Sequence, residues 1–250
     1  MQDNKKYIIF ADSFVGYEIV KFIFLNYPDD IFHIVVTSEL NEIYSFAKSN
    51  KLSVIVFQSQ KYEEIMSNIE FETGFLIWWP IIIKEELIKK AKKGFINTHP
   101  SFLPNNRGKN YNFWTLIEEC PYGVSIHSVN KDIDSGDILL QKKIEYDWTD
   151  NGETMFYKAR NEMVNLFKEF YPKYKNNKLK SIIQNLDNGS FHYGYEMETK
   201  SLLNLSNDYN LKNLLNLLRA RTFSGKPACH FKDKQTNKMY EVRVEIVEKN

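Results

Sequence analysis

Asn97 and His99 stand two residues apart, at the end of the short apolar run Phe95-Ile96 and just before Pro100. Side chains alternate across a strand, so positions i and i+2 project to the same side. A carboxamide and an imidazole sharing one space can hydrogen-bond a developing oxyanion and carry a proton, which are the parts acyl transfer needs. Pro100 and Pro104 disfavour an immediate helix and stiffen the exit from the pair.

The preceding chain must supply the support. Short apolar runs predict strands over 7–10, 33–37, 54–56 and 75–79 and a further strand starting at 95–97, and helices over 17–25, 43–49, 62–69 and 84–91 alternate with them. The strands are apolar on both faces, the pattern of a parallel sheet covered on both sides. The expected fold class is α/β, a Rossmann-like, mostly parallel sheet with helices on both faces. Ligands of such sheets bind beyond the carboxyl ends of the strands, where Trp78-Trp79-Pro80 and Asn97-Thr98-His99 both fall. Residues 11–16 read as a turn with Gly16 as the single glycine, whereas a pyrophosphate cradle normally needs several, so no dinucleotide site is expected.

Downstream, a polar loop over 105–110 leads to a helix over 111–119. A strand follows over 123–129, then a tight acidic loop over 132–137 and a strand over 138–144. A long helix over 152–171 is expected to end at Pro172. Beyond residue 179 the texture changes. Residues 190–195 are aromatic and irregular, 211–221 reads as a helix, and strands over 229–232 and 239–247 read as an antiparallel hairpin. The expected division is a main domain over 1–180 and a small C-terminal α+β region over 181–250.

Composition narrows the function classes. The 250 residues are 43% hydrophobic and 15% aromatic, enough for a sizeable core. With 33 basic and 32 acidic residues the net charge is +1, which gives no whole-protein reason to expect nucleic-acid or membrane binding. Lys89, Lys90, Lys92 and Lys93 cluster, and read as a solvated helix face and its exit. The 2 cysteines, Cys120 and Cys229, suggest neither a zinc site nor a disulfide framework. Met1 to Lys6 is polar and leads into only a short apolar run, so no signal peptide is expected. No window approaches the roughly 20 apolar residues of a membrane span. A cytoplasmic setting is expected.

Three pieces in order, Asn97-Thr98-His99-Pro100, Arg107-Gly108 and Asp134-Ser135-Gly136-Asp137, with Gly123-Val124-Ser125-Ile126-His127 among them, resemble the folate-dependent formyltransferase family. The resemblance is specific over about 77–141. It implies that Asn97, His99 and Asp134 are the catalytic trio and that the formyl donor is N10-formyltetrahydrofolate, with no metal. Asn97 would donate to the oxyanion of the tetrahedral intermediate. His99, with an unperturbed pKa near ~6.5, would take a proton from the attacking amine or stabilise the oxyanion as imidazolium. Asp134 would orient His99 and help relay the proton. Trp78, Trp79, Pro80, Ile81 and Ile82, with Asp137, correspond to the folate-binding part; simple aromatic core is the competing reading of the two tryptophans. His127 reads as a packed or supporting residue.

The acceptor amine is the finer question. Nucleic-acid binders need a basic surface, and the balanced charge gives no tRNA footprint. Arg107-Gly108-Lys109-Asn110, with Phe113-Trp114 after it, resembles the corresponding stretch of nucleotide-sugar N-formyltransferases, as does the tail from Leu218 through Phe223 to the hairpin. The resemblance implies a nucleotide-linked, dTDP-type 3- or 4-amino-dideoxysugar as partner, for surface polysaccharide (O-antigen) synthesis. Arg107, Gly108, Lys109, Asn110, Trp114 and Phe223 would be its contacts, and the chain would be a homodimer. A methionyl-tRNA formyltransferase-like enzyme and a catalytically silent folate- or nucleotide-binding module remain the alternatives.

Overall fold

The computed structural model describes residues 7–249; the polar stretch Met1 to Lys6 lies outside them. In chain order the elements begin with β1 (Tyr7–Ala11), α1 (Ser13–Asn26), β2 (Ile31–Val36), α2 (Glu42–Ser49) and β3 (Val54–Val56). Then come α3 (Gln60–Ser67), β4 (Thr73–Ile77), α4 (Glu85–Ile88), β5 (Phe95–His99), β6 (Arg107–Gly108) and α5 (Tyr111–Glu118). The remainder is β7 (Gly123–Ser128), β8 (Ile138–Lys143), α6 (Gly152–Lys175), β9 (Phe191–His192), α7 (Glu196–Ser201), α8 (Leu211–Ala220), β10 (Cys229–Lys232) and β11 (Met239–Val242). By internal contacts the chain divides into two compact units. One holds the residues up to His99 with 125–140 and 160–183; the other holds 100–124, 141–159 and Gln184 onward.

The first unit carries most of a sheet ordered β3-β2-β1-β4-β5-β7-β8. The pairs from β3 through β5 are parallel, and β7 runs antiparallel to β5. β1 is wholly buried because each of its faces has a cover. Ile8 and Phe10 join a core with Tyr62 and Met66 of α3 and Leu87 of α4. Tyr7 points the other way, its ring 5.2 Å from Phe75 and 6.2 Å from Tyr171 of α6. Two-sided burial is what an uninterrupted apolar strand requires. Asn41 and Ser59 cap α2 and α3, their side chains accepting from the N–H of Ile43 (2.9 Å) and of Tyr62 (3.1 Å).

Several boundaries differ from the sequence expectation. Residues 13–16, read as turn, are the first turn of α1: Asp12 alone separates it from β1, and the Gly16 N–H reaches the Asp12 carbonyl at 3.0 Å. β4 stops at Ile77, not Trp79, because Trp78 turns to φ +50° and gives its N–H to the Thr98 hydroxyl at 2.9 Å. α4 is a single turn, since Ala91 instead forms a bridge with Phe71. β5, by contrast, starts where the sequence marks it and runs on to His99, with β7 pairing it as far as Ser125.

α6 runs through Pro172 to Lys175. Its last turn is held by tertiary contacts that outweigh the missing N–H. The Tyr171 hydroxyl donates to Asp30 Oδ2 (2.9 Å), Lys175 Nζ pairs with the same oxygen (2.6 Å), and the Tyr174 and Thr73 hydroxyls lie 2.6 Å apart. Of the lysine cluster, Lys89, Lys92 and Lys93 are exposed and paired to Glu85, Glu70 and Glu72, while Lys90 is half-buried. Lys90 Nζ caps the carbonyls of Met66 and Ser67.

In the second unit α5 packs on α8, and β10 and β11 form a hairpin. β11 ends at Val242, opposite Cys229, because β10 offers no further partner; the Val244 N–H turns to the Thr222 hydroxyl at 3.3 Å. The loop 105–110 and the irregular stretch 190–195 contain a strand pair the sequence did not suggest, parallel β6 and β9, with Arg107 opposite Phe191 and Gly108 opposite His192. Among the described residues no helix is long and apolar enough to cross a membrane.

Candidate active site

Asn97, His99 and Asp134 converge within the first unit. β5 presents Asn97 and His99 on one face and Thr98 on the other, where the Thr98 hydroxyl donates to the Leu76 carbonyl (3.2 Å) and accepts from Trp78. The tip of β5 is therefore tied to the tip of β4. Asp134 sits in the loop between β7 and β8 with φ +51°. The turn closes only because position 136 is glycine: a Cβ there would lie 1.9 Å from the Ser128 carbonyl oxygen.

Asp134 divides its oxygens between the two β5 side chains. Oδ2 is 3.3 Å from His99 Nδ1, and Oδ1 accepts from Asn97 Nδ2 at 3.2 Å. The side chains of His99 and Asp134 are 6% and 10% exposed, so this contact is not screened as a surface pair would be. A carboxylate can only accept, so it favours the proton on His99 Nδ1 and leaves the lone pair on Nε2, the basic end of the ring.

A fourth member joins them. Asn97 pairs with His127 across the antiparallel β5–β7 ladder, and paired residues share a face. His127 Nε2 lies 3.2 Å from Asn97 Nδ2 and 3.5 Å from Asp134 Oδ1, while Nδ1 is 2.8 Å from the Ser128 carbonyl. That carbonyl takes the Nδ1–H, so in the neutral form of the ring Nε2 is the acceptor and receives from Asn97. Both amide hydrogens of Asn97 are thus directed, one to Asp134 and one to His127. Serving an oxyanion means giving up one of two bonds that are longer than the ~2.9–3.0 Å mode for N–H···O. Sequence alone marked His127 as packed or supporting; alternation along β7 was the signal, and only the antiparallel register shows what it meets.

The residues assigned to folate lie just beyond β4. Trp78 is half-buried, and Trp79 packs edge-on against Phe10 and Phe57, each 5.4 Å away. The Trp79 indole N–H is nonetheless buried without a hydrogen-bond partner among the described residues. Pro80 is exposed, as are Ile81 (39%) and Ile82 (76%), and Asp137 is half-buried. Among the described residues no group of three or more His, Cys, Asp or Glu side chains is arranged to hold a metal.

The residues assigned to the acceptor lie in the second unit. Arg107 and Gly108 form β6, Lys109 is exposed, and Asn110 Nδ2 donates to the Gly194 carbonyl at 3.2 Å. Gly108 has φ +89°, and a Cβ there would lie 2.4 Å from the His192 carbonyl oxygen, so the β6–β9 contact requires glycine. Trp114 is buried, one face covered by the His192 ring at 3.8 Å and 8°. His192 Nε2 is 2.6 Å from Glu118. Phe223 packs against Phe156 at 5.6 Å.

GDP-perosamine N-formyltransferase of Brucella melitensis is 34% identical over 101 residues, which cover 40% of this chain and 39% of that protein. The matched part thus spans about two fifths of that relative's length. A 4-N formyltransferase from Francisella tularensis has the same fold, with a TM-score of 0.81 at 22% identity over 98% of each chain. So does a Helicobacter canadensis N-formyltransferase solved with folinic acid and dTDP-3-aminofucose, with a TM-score of 0.73 at 19% identity over 92% of this chain and 85% of that one. Residues 196–248 match the family described as N-formyltransferase dimerization C-terminal domain. Residues 38–170, more than half of the sequence, match the family described as formyl transferase, and the chain belongs to that family.

Proposed function

We propose that the protein transfers a formyl group from N10-formyltetrahydrofolate to the amino group of a nucleotide-linked amino-dideoxysugar. The observation that carries this is the convergence of Asn97 and His99 on one carboxylate. In the proposed reaction the amine attacks the formyl carbon, and His99 Nε2 takes the proton the nitrogen sheds. Asn97 turns an N–H to the oxyanion; one such donor typically contributes about 3 kcal/mol. The intermediate collapses by breaking the carbon–N10 bond, and His99 can return the proton to N10. Asp134 holds the productive tautomer and offsets the imidazolium charge between the two transfers.

A folate head group suits the residues beyond β4. The unpartnered Trp79 N–H calls for an acceptor, and Ile81 and Ile82 offer apolar surface. Trp78, Pro80 and Asp137 complete the proposed folate contacts. Arg107, Gly108, Lys109, Asn110, Trp114 and Phe223 are the proposed acceptor residues, the cations meeting a diphosphate. The finer reading keeps dTDP as the nucleotide and O-antigen synthesis in the cytoplasm as the setting, although one relative is named for a GDP-sugar. Residues 1–180 are proposed as the catalytic domain and 181–250 as the part that pairs two copies.

The test is direct. The protein is mixed with N10-formyltetrahydrofolate and, separately, dTDP-4-amino-4,6-dideoxyglucose, its 3-amino isomer, GDP-perosamine and formyl-acceptor tRNA, and products are read by mass. A formylated sugar nucleotide is expected. Formylation of tRNA alone, or of nothing, overturns the proposal.

A further inference from the structure

We propose that Tyr193 and Tyr195 form a stacking platform for the base of a nucleoside diphosphate whose phosphates meet Arg107 and Lys109. This rests on the reading of the acceptor as a nucleotide-linked sugar and says where its base is held. Both tyrosines are unusually open for their size, 54% and 68% exposed. Their rings lie 5.7 Å apart and nearly parallel, at 15°, and Phe191 supports Tyr193 edge-on at 4.9 Å. Two flat, co-oriented rings facing solvent suit any base, since every base has a π-face.

The adjoining charge selects a nucleotide over a purely apolar partner. Four contacts fasten the aromatic strip to the cationic loop. The N–H groups of Arg107 and Lys109 reach the carbonyls of Ser190 and His192, each at 3.0 Å. Asn110 Nδ2 holds the Gly194 carbonyl between the two tyrosines, and the Arg107 guanidinium lies 6.0 Å above the Phe191 ring. Among the described residues neither Arg107 nor Lys109 forms an ion pair with a carboxylate. The nearby carboxylates are taken: Glu118 by His192 and Ser190, and Glu196 by His192 and the Tyr193 N–H. Two cations without counter-charge, held beside an aromatic strip, complement a molecule with one flat face and one dianionic linker.

Calorimetric titration of the full chain with dTDP, GDP, UDP and inorganic pyrophosphate tests this. A nucleoside diphosphate is expected to bind more tightly than pyrophosphate. Tyr193→Ala or Tyr195→Ala should weaken the nucleoside diphosphate by about 10- to 100-fold, and pyrophosphate hardly at all. Tyr195→Phe should bind as the unaltered protein does, and Lys109→Ala should weaken both ligands. Circular dichroism checks that the variants fold. Unchanged nucleotide affinity in folded Tyr→Ala variants overturns the platform. The same result with loss of dimer on sedimentation assigns the tyrosines to a subunit interface and equally overturns it. If the unaltered protein binds no nucleoside diphosphate, the proposed acceptor class falls as well.

Discussion

Asp134→Asn keeps the shape of the side chain and removes its charge. Asp134 serves His99 Nδ1 at 3.3 Å and Asn97 Nδ2 at 3.2 Å with different oxygens. A carboxamide has one acceptor oxygen, so it can satisfy one of these groups and must turn its NH₂ to the other. With the oxygen on Asn97, the amide donates to His99 Nδ1; the ring proton moves to Nε2, which can then no longer take a proton from the amine. With the oxygen on His99, two NH₂ groups confront one another and Asn97 swings away. In either arrangement the imidazolium formed during transfer loses its counter-charge. At the observed 3.3 Å and an effective dielectric of ~20, that attraction is about 5 kcal/mol. Reorientation of neighbouring dipoles recovers part of it, and a net ~3–4 kcal/mol corresponds to a fall in kcat of about 10²- to 10³-fold. The assay is formyl transfer at saturating donor and acceptor, quantified by mass, with circular dichroism as folding control. KM should change little, because the lost interaction strengthens only as charge develops. A folded Asp134→Asn enzyme with kcat within about fivefold of the unaltered one would refute the role assigned to the carboxylate.

Three further outcomes are expected. Asn97→Ala should lower kcat about 10²- to 10³-fold with KM nearly unchanged, the signature of a donor used in the transition state; a KM effect alone would assign Asn97 to binding. Gly108→Ala places a methyl 2.4 Å from the His192 carbonyl oxygen on a φ of +89°. It should cost about 1–3 kcal/mol, read as a lower urea midpoint; an unchanged midpoint would contradict the β6–β9 contact. Burial raises the thiol pKa of Cys120, and that of Cys229 to about 11. The thiolate is the reactive form and predominates only above the pKa, so iodoacetamide at pH 8 should label Cys229 slowly until denaturant is added; fast labelling of the native protein would contradict its burial.

The sequence disclosed the parts of the site that obey local rules. Alternation places Asn97 and His99 on one face whatever the strand's neighbours, and the spacing to Asp134-Ser135-Gly136 carries the family pattern. Elements sustained by partners distant in sequence were hidden. β6 and β9 are two residues each, too short to show a period, and exist because Gly108 lets the His192 carbonyl approach. α6 passes Pro172 because Asp30 and Thr73, far away in the chain, hold its last turn. His127 stayed ambiguous because its importance depends on β7 reversing direction against β5, which puts it opposite Asn97.

Thr98, between Asn97 and His99, has a further consequence. Its hydroxyl is engaged on the opposite face by Trp78 and Leu76. A slip of β5 by one residue against β4 would bring Thr98 to Asp134 and carry Asn97 and His99 away together. For that slip the strand acts as a parity check: with a period of two, a one-residue shift removes both members of the pair together, and neither stays behind to leave half a site. Loosening the sheet should make a population of working and silent molecules rather than a uniformly slower enzyme. Such damage would be counted in active-site titre, with turnover per working molecule preserved.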